Sequence, residues 1–175
     1  MDTLLSRPKT QDVGAIAADI REKALDSAFE KYARYLQDPV LDELLCQSGF
    51  LEAFKSGIAE EVARVLSTHD QHVQAVYMFD PNTNPGTEDG AYLPLDGGVH
   101  LLVQVDVTSA ALDAFLEALD RGLTQALSEL PADLYAGYTS VLDVILVTAA
   151  EVQQRKGYAS LLTSIFAPPL KVWQR

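Results

Sequence analysis

The sequence predicts an α/β protein of the α+β kind: a small mixed β-sheet flanked by helices, with a helical N-terminal extension. Three observations predict it. Apolar residues recur at helical spacing through the first third of the chain. Two extended runs stand at Val73–Phe79 and Val99–Val107. A β-branched run, Leu142–Thr148, follows a further amphipathic segment.

Residues 1–10 read as a flexible start. From Val13 to Leu36 the pattern is helical: Ile16, Ile20, Ala24, Ala28, Tyr32 and Tyr35 share one stripe, and Leu25, Phe29 and Leu36 widen it. Asp38-Pro39 stops this helix, with Asp38 read as the cap of the next and Pro39 as its first residue. A short helix is expected over Val40–Gln47. Residues 1–48 make up the helical extension, and 49–175 the main domain. Ser48 is read as the cap of a helix carrying Phe50, Leu51, Phe54, Ile58, Val62 and Leu66, which ends at the polar stretch Ser67–Gln71.

The register then becomes extended. Val73, Ala75 and Tyr77 alternate with Gln74, Val76 and Met78, so both faces are apolar, as in a central strand covered on both sides. Val99–Val107 has the same character. Thr108 or Ser109 caps a helix with Leu112, Phe115, Leu116, Leu119, Leu123 and Leu127 on one face, closed by Pro131. Leu142–Thr148 is a third strand. Two short helices are expected over Ala149–Arg155 and Tyr158–Phe166, and the tail PPLKVWQR as a short edge strand.

The 175-residue length fits one domain with an appendage, large enough to bury about 70% of its unfolded surface without staples. A formal net charge of −12 argues against nucleic acid, whose phosphates call for a basic stripe, and against anionic membranes. Cys46 is the only cysteine, which excludes an intrachain disulfide and a Cys-based zinc site. The N-terminus lacks the apolar core of a secretory signal. No run reaches the roughly 18 apolar residues of a membrane helix. A cytoplasmic, acidic protein is the expectation.

The segment VQAVYMFD–PNTNPGTEDGAYLPLDGG–VHLLVQVD reads as strand, long loop, strand. This layout resembles the metal-binding hairpin of the nucleotidyltransferase fold, as in the minimal and aminoglycoside nucleotidyltransferases. The family's first strand ends in Phe-Gly-Ser, and its second carries Asp-x-Asp ahead of a run like Leu-Leu-Val. The order helix, strand, loop, strand, helix, strand, helix extends the resemblance over 51–175. There LDVILVTAAEVQQRKGYASLLTSIFAPPLKVW is similar to the family's third catalytic strand and its continuation. The resemblance puts Asp143 at the position of the third metal-associated carboxylate. The first fifty residues lie outside it.

The catalytic letters differ. Asp80-Pro81 follows Phe79 in place of Gly-Ser, and Gly98 and His100 stand in place of the two aspartates. Nucleotidyl transfer uses two divalent ions to clamp the attacking and leaving oxygens. Aspartates at i and i+2 on a strand share a face and reach one metal pair. Glycine offers no ligand, and neutral imidazole is a poor magnesium ligand. Proline removes an N–H donor, and aspartate repels phosphate. The resemblance together with these departures implies a pseudoenzyme: an inactive nucleotidyltransferase-like module, without a cofactor, that binds a nucleotide or a protein partner in a cleft marked by Asp80, Asp96, His100 and Asp143. The alternative is an active enzyme with rearranged ligands, using Mg or Mn with a nucleoside triphosphate. In it Asp96, His100 and Asp143 converge on a softer metal such as manganese or zinc.

Smaller signals carry bland readings. Asp80-x-Asn82-x-Asn84 hints at a calcium loop, but Pro85 and Ala91 replace its glycine and glutamate. His69 and His72 are spaced to share a metal, yet suit a helix C-terminus as cations. No nucleophile elbow and no glycine-rich phosphate loop is present. The first helix, with Phe29, Tyr32 and Tyr35, either packs on the core or pairs two subunits into a homodimer.

Overall fold

A computed structural model of the chain describes residues 12–79, 97–165 and 168–175. The expectations for residues 1–10, for the 80–96 loop and for Phe166 lie outside the described residues. The architecture is a mixed four-stranded sheet flanked by helices, as the sequence predicts.

Helix α1 spans Val13–Ala28, and Asp12 caps it by accepting from the N–H groups of Gly14 and Ala15. The expected helix to Leu36 does not stay α-helical. It widens into a π-helical turn at Phe29–Ala33. There the Phe29 ring meets Phe50 edge-on at 5.2 Å, and the Tyr32 hydroxyl bonds Gln47 at 3.1 Å. Two aromatic anchors set that rotation, and the 3.6-residue period cannot report it.

The caps expected next are corrected. Helix α2 is Leu41–Leu45, and its N-cap is Val40, without a side-chain bond. Asp38 instead adopts φ 47, the left-handed conformation that a short polar side chain tolerates. Ser48 is the first residue of α3 (Ser48–His69), whose N-cap is Gln47.

Helix α1 lies against α3, and Ala17, Ile20, Ala24 and Ala28 are fully buried in the same core cluster as Phe50, Phe54, Ile58, Val62 and Leu66. Small residues permit the approach: a Cβ on Gly57 would sit 3.0 Å from the Ala24 Cα. The outer edge of this crossing carries an ion-pair network, with Lys23–Asp19 at 2.8 Å and Arg64–Glu61 at 2.8 Å, bridged by Arg64–Asp19 at 3.6 Å.

Strand β1 (Val73–Met78) pairs antiparallel with β2 (Val99–Val105), which ends two residues earlier than expected. Helix α4 (Ala110–Ser128) is capped by Ser109, the second of the two expected candidates, accepting from Leu112 N–H. Strand β3 (Leu142–Thr148) has the bounds read from sequence and runs parallel to β2. A capping box of Thr148 and Glu151 starts α5 (Ala149–Gln154). The last expected helix is a 3-10 turn at Gly157–Thr163, and β4 (Leu170–Gln174) closes the sheet as an edge strand against β1. The strand order is β3-β2-β1-β4.

Among the described residues, the two sheet faces are covered unequally. Val99, Leu101, Val103 and Val105 point to the main core with α1, α3 and α4. On the opposite face Leu102, Val147 and Ala159 form a small second cluster, joined by Tyr77, Phe79, Ile145, Val152 and Leu162. Among the described residues, only α5 and the C-terminal 3-10 turn cover that side in these clusters.

Candidate functional site

The site is built on the less covered face, at the N-terminal ends of β2 and β3. The parallel register sets His100 opposite Asp143. Even-numbered residues of β2 face away from the main core, so both side chains project from the same side. His100 Nδ1 lies 3.2 Å from Asp143 Oδ2. An imidazole carrying its proton on Nδ1, or an imidazolium, donates across this contact. The imidazole is mostly buried, with a side-chain exposure of 19%, whereas the carboxylate is open at 59%. The ring thus serves as a fixed support, and the carboxylate as the exposed acceptor.

Aromatic rings extend the pair on one side. Phe79, at the end of β1, is tilted against His100 at 5.9 Å, and Tyr158 of the 3-10 turn stands 6.3 Å from Phe79. Tyr158 is exposed. The resulting surface can stack on a planar group and accept hydrogen bonds through Asp143. These four residues carry no lysine, arginine or helix N-terminus with which to neutralise a triphosphate.

Two further constraints hold the site's frame. Asp120 of α4 accepts from Val141 N–H at 3.0 Å and from Leu142 N–H at 2.8 Å, pinning the start of β3. At the start of β2, Gly97 N–H donates to the Tyr138 hydroxyl at 3.1 Å, and the Tyr135 hydroxyl donates to Gly97 C=O at 3.3 Å. A Cβ on Gly97 would approach Tyr135 to 2.6 Å. The glycine is therefore required by a packed ring rather than by a turn.

Of the four candidates read from sequence, His100 and Asp143 are brought together, while Asp80 and Asp96 lie outside the described residues. Gly98, at the other aspartate position of the resembled motif, is buried and presents no side chain. Among the described residues, no group of three or more His, Cys, Asp or Glu is placed to hold a metal ion. His69 and His72 belong to no such group; the His69 ring instead stacks on Phe115 at 3.7 Å. Cys46 is exposed. Sequence reasoning missed Tyr158, Asp120 and the tyrosine pair at Gly97. Each acts on a residue distant in sequence, and none stands in a local motif.

Among the described residues, no helix is long and apolar enough to cross a membrane. No family model matches the chain, and neither does any curated protein or solved structure.

Proposed function

We propose that the chain is a non-catalytic binding module of nucleotidyltransferase type, which takes a nucleotide or a protein segment on the face formed by Phe79, His100, Asp143 and Tyr158. The observation that supports this reading is the β2–β3 register. It sets residue 100 beside residue 143, as metal-bridging carboxylates would require, yet the pair is an imidazole and one aspartate already in contact at 3.2 Å. One carboxylate does not hold two hard divalent ions. A stacking surface with a fixed acceptor suits recognition of a planar, donor-bearing group, such as a nucleobase or an aromatic side chain.

Turnover tests the reading directly. The purified chain is incubated with each nucleoside triphosphate and Mg or Mn, and pyrophosphate release is measured beside an Asp143→Ala control. The expected rate equals that of the control. Release that depends on both the metal and Asp143 overturns the proposal.

The His100–Asp143 contact also favours a second reading, since it unites two of the three ligands of the rearranged-metal alternative. In that reading Asp96 completes a manganese or zinc site, and the protein is an active transferase. Metal binding undiminished in Asp96→Ala plus Asp143→Ala removes it.

A further inference from the structure

The two edges of the sheet differ in how they are protected. The β4 edge is short and follows Pro168-Pro169. It carries Lys171, and its pairing with β1 is broken by a register shift between Val76 and Tyr77. These are the usual devices that blunt an edge against further pairing. The β3 edge has none of them: its sequence is LDVILVT, with no proline, no lysine and no irregularity in its pairing.

The hydrogen bonds of β3 show which groups remain open. Val99 N–H donates to Val141 C=O at 2.8 Å, and the register pairs Val99 with Leu142. In a parallel ladder this sends the main-chain groups of Asp143, Ile145 and Val147 towards β2, and those of Leu142, Val144, Leu146 and Thr148 outwards. The outer ends are already closed. Leu142 N–H is held by Asp120, and Thr148 N–H by the Glu151 carboxylate at 2.8 Å. Val144 and Leu146 N–H form no hydrogen bond among the described residues. The open edge thus consists of two donors placed symmetrically about Ile145.

We propose that this edge pairs with the same edge of a second copy of the chain, antiparallel and centred on Ile145. In this register Val144 of each copy exchanges both main-chain bonds with Leu146 of the other, so every open donor is used. A shift by one step either way would require the N–H of Leu142 or Thr148, which Asp120 and Glu151 hold. Side chains match as well. Ile145 meets its symmetry mate, and Val144 faces Leu146. Asp143 faces Val147, leaving the two aspartates about 14 Å apart along the strands. A parallel pair of the same edge would turn one copy over, placing the two Asp143 side chains on opposite faces and breaking the match of side chains. The palindromic pattern of donors and the single charge make a second copy the fitting occupant. The two-fold axis stands perpendicular to the sheet, so both His100–Asp143 faces lie on one side of an eight-stranded sheet. The inference does not depend on what that face binds.

The test uses the full chain. Sedimentation equilibrium should give a concentration-dependent species of twice the 19.1 kDa chain mass. Amide exchange of Val144 and Leu146 should slow by about tenfold or more on passing from dilute monomer to dimer. Val144→Lys and Leu146→Pro, which removes an outward donor, should each give a monomer; both side chains pack against the main core, so circular dichroism checks that each variant folds. Should either variant fail to fold, the exchange measurement on the natural chain decides alone. A monomer at all concentrations overturns the proposal. So does a dimer in which those amides exchange as fast as in the monomer, which would place the contact elsewhere, such as at the exposed Tyr32, Tyr35 and Leu36. Protection gained only on adding a peptide of another sequence also overturns it.

Discussion

Single side chains fix the frame of the candidate site. Asp120 satisfies two N–H groups at the head of β3, and Asp120→Ala leaves both without that acceptor. The expected cost is about 2 kcal/mol, with faster amide exchange at Val141 and Leu142; chemical denaturation and exchange check both. Gly97→Ala forces a methyl against the Tyr135 ring and should cost about 1–3 kcal/mol, relieved in part by adding Tyr135→Leu. Arg21 ties α1 to the end of α4 through Ala126 C=O and Glu129, each at 2.9 Å. Burial pulls its pKa down, but hydrogen bonds to Glu129 and Glu22 outweigh this, and the net direction is up. A raised pKa stabilises below the unfolded value and is lost only as pH rises through the folded one, which for a guanidinium lies far into alkali. Arg21→Met should therefore cost about 1–2 kcal/mol uniformly from pH 6 to pH 9, measured by urea unfolding. None of these partners is legible in sequence. Asp120 reads as a polar residue on a helix, and its targets at 141 and 142 lie a turn and a connection away.

At the scale of elements, legibility follows how local the cause is. The bounds of β3 come straight from its β-branched run, and the Ser109 cap from side-chain chemistry at one position. The π-helical turn at Phe29–Ala33 does not, because its contacts are to Phe50 of α3 and to Gln47, the N-cap of that helix. The cap at Val40 is missed for a related reason: the left-handed Asp38 turns the chain before the helix begins. In the sequence, His100 and Asp143 are linked only by a resemblance; that they stand side by side on β2 and β3 is a property of the fold. Their direct contact and the flanking Tyr158 needed the folded chain. Helix α1 also yields a prediction. Ile20 and three alanines of α1 are fully buried against α3 and α4, so deletion of residues 1–48 should expose that core. The expected product is molten, with native-like far-ultraviolet but lost near-ultraviolet dichroism. A soluble monomer with cooperative unfolding would instead make those helices dispensable.

For the whole molecule, charge and surface chemistry set the terms of binding. A net charge of −12 repels polyanions and other copies of the chain at low salt. Raising ionic strength from about 20 mM to about 300 mM should therefore raise the melting temperature and strengthen self-association together, followed by scanning calorimetry and sedimentation. The same charge sharpens the functional claim. A triphosphate approaching an acidic protein depends on metal ions for attraction, whereas a ligand held by stacking and by Asp143 does not. The decisive measurement is a thermal-shift panel on metal-stripped protein with ATP, GTP, CTP and UTP, each in EDTA, magnesium or manganese. A ligand at about 100 times its Kd adds about 2.7 kcal/mol, a shift of several degrees for a domain of this size. If Asp143 and the rings bind without metal, any stabilisation is the same in EDTA as in metal and falls away in His100→Ala. A shift that appears only with magnesium or manganese and vanishes in Asp143→Ala would contradict this account.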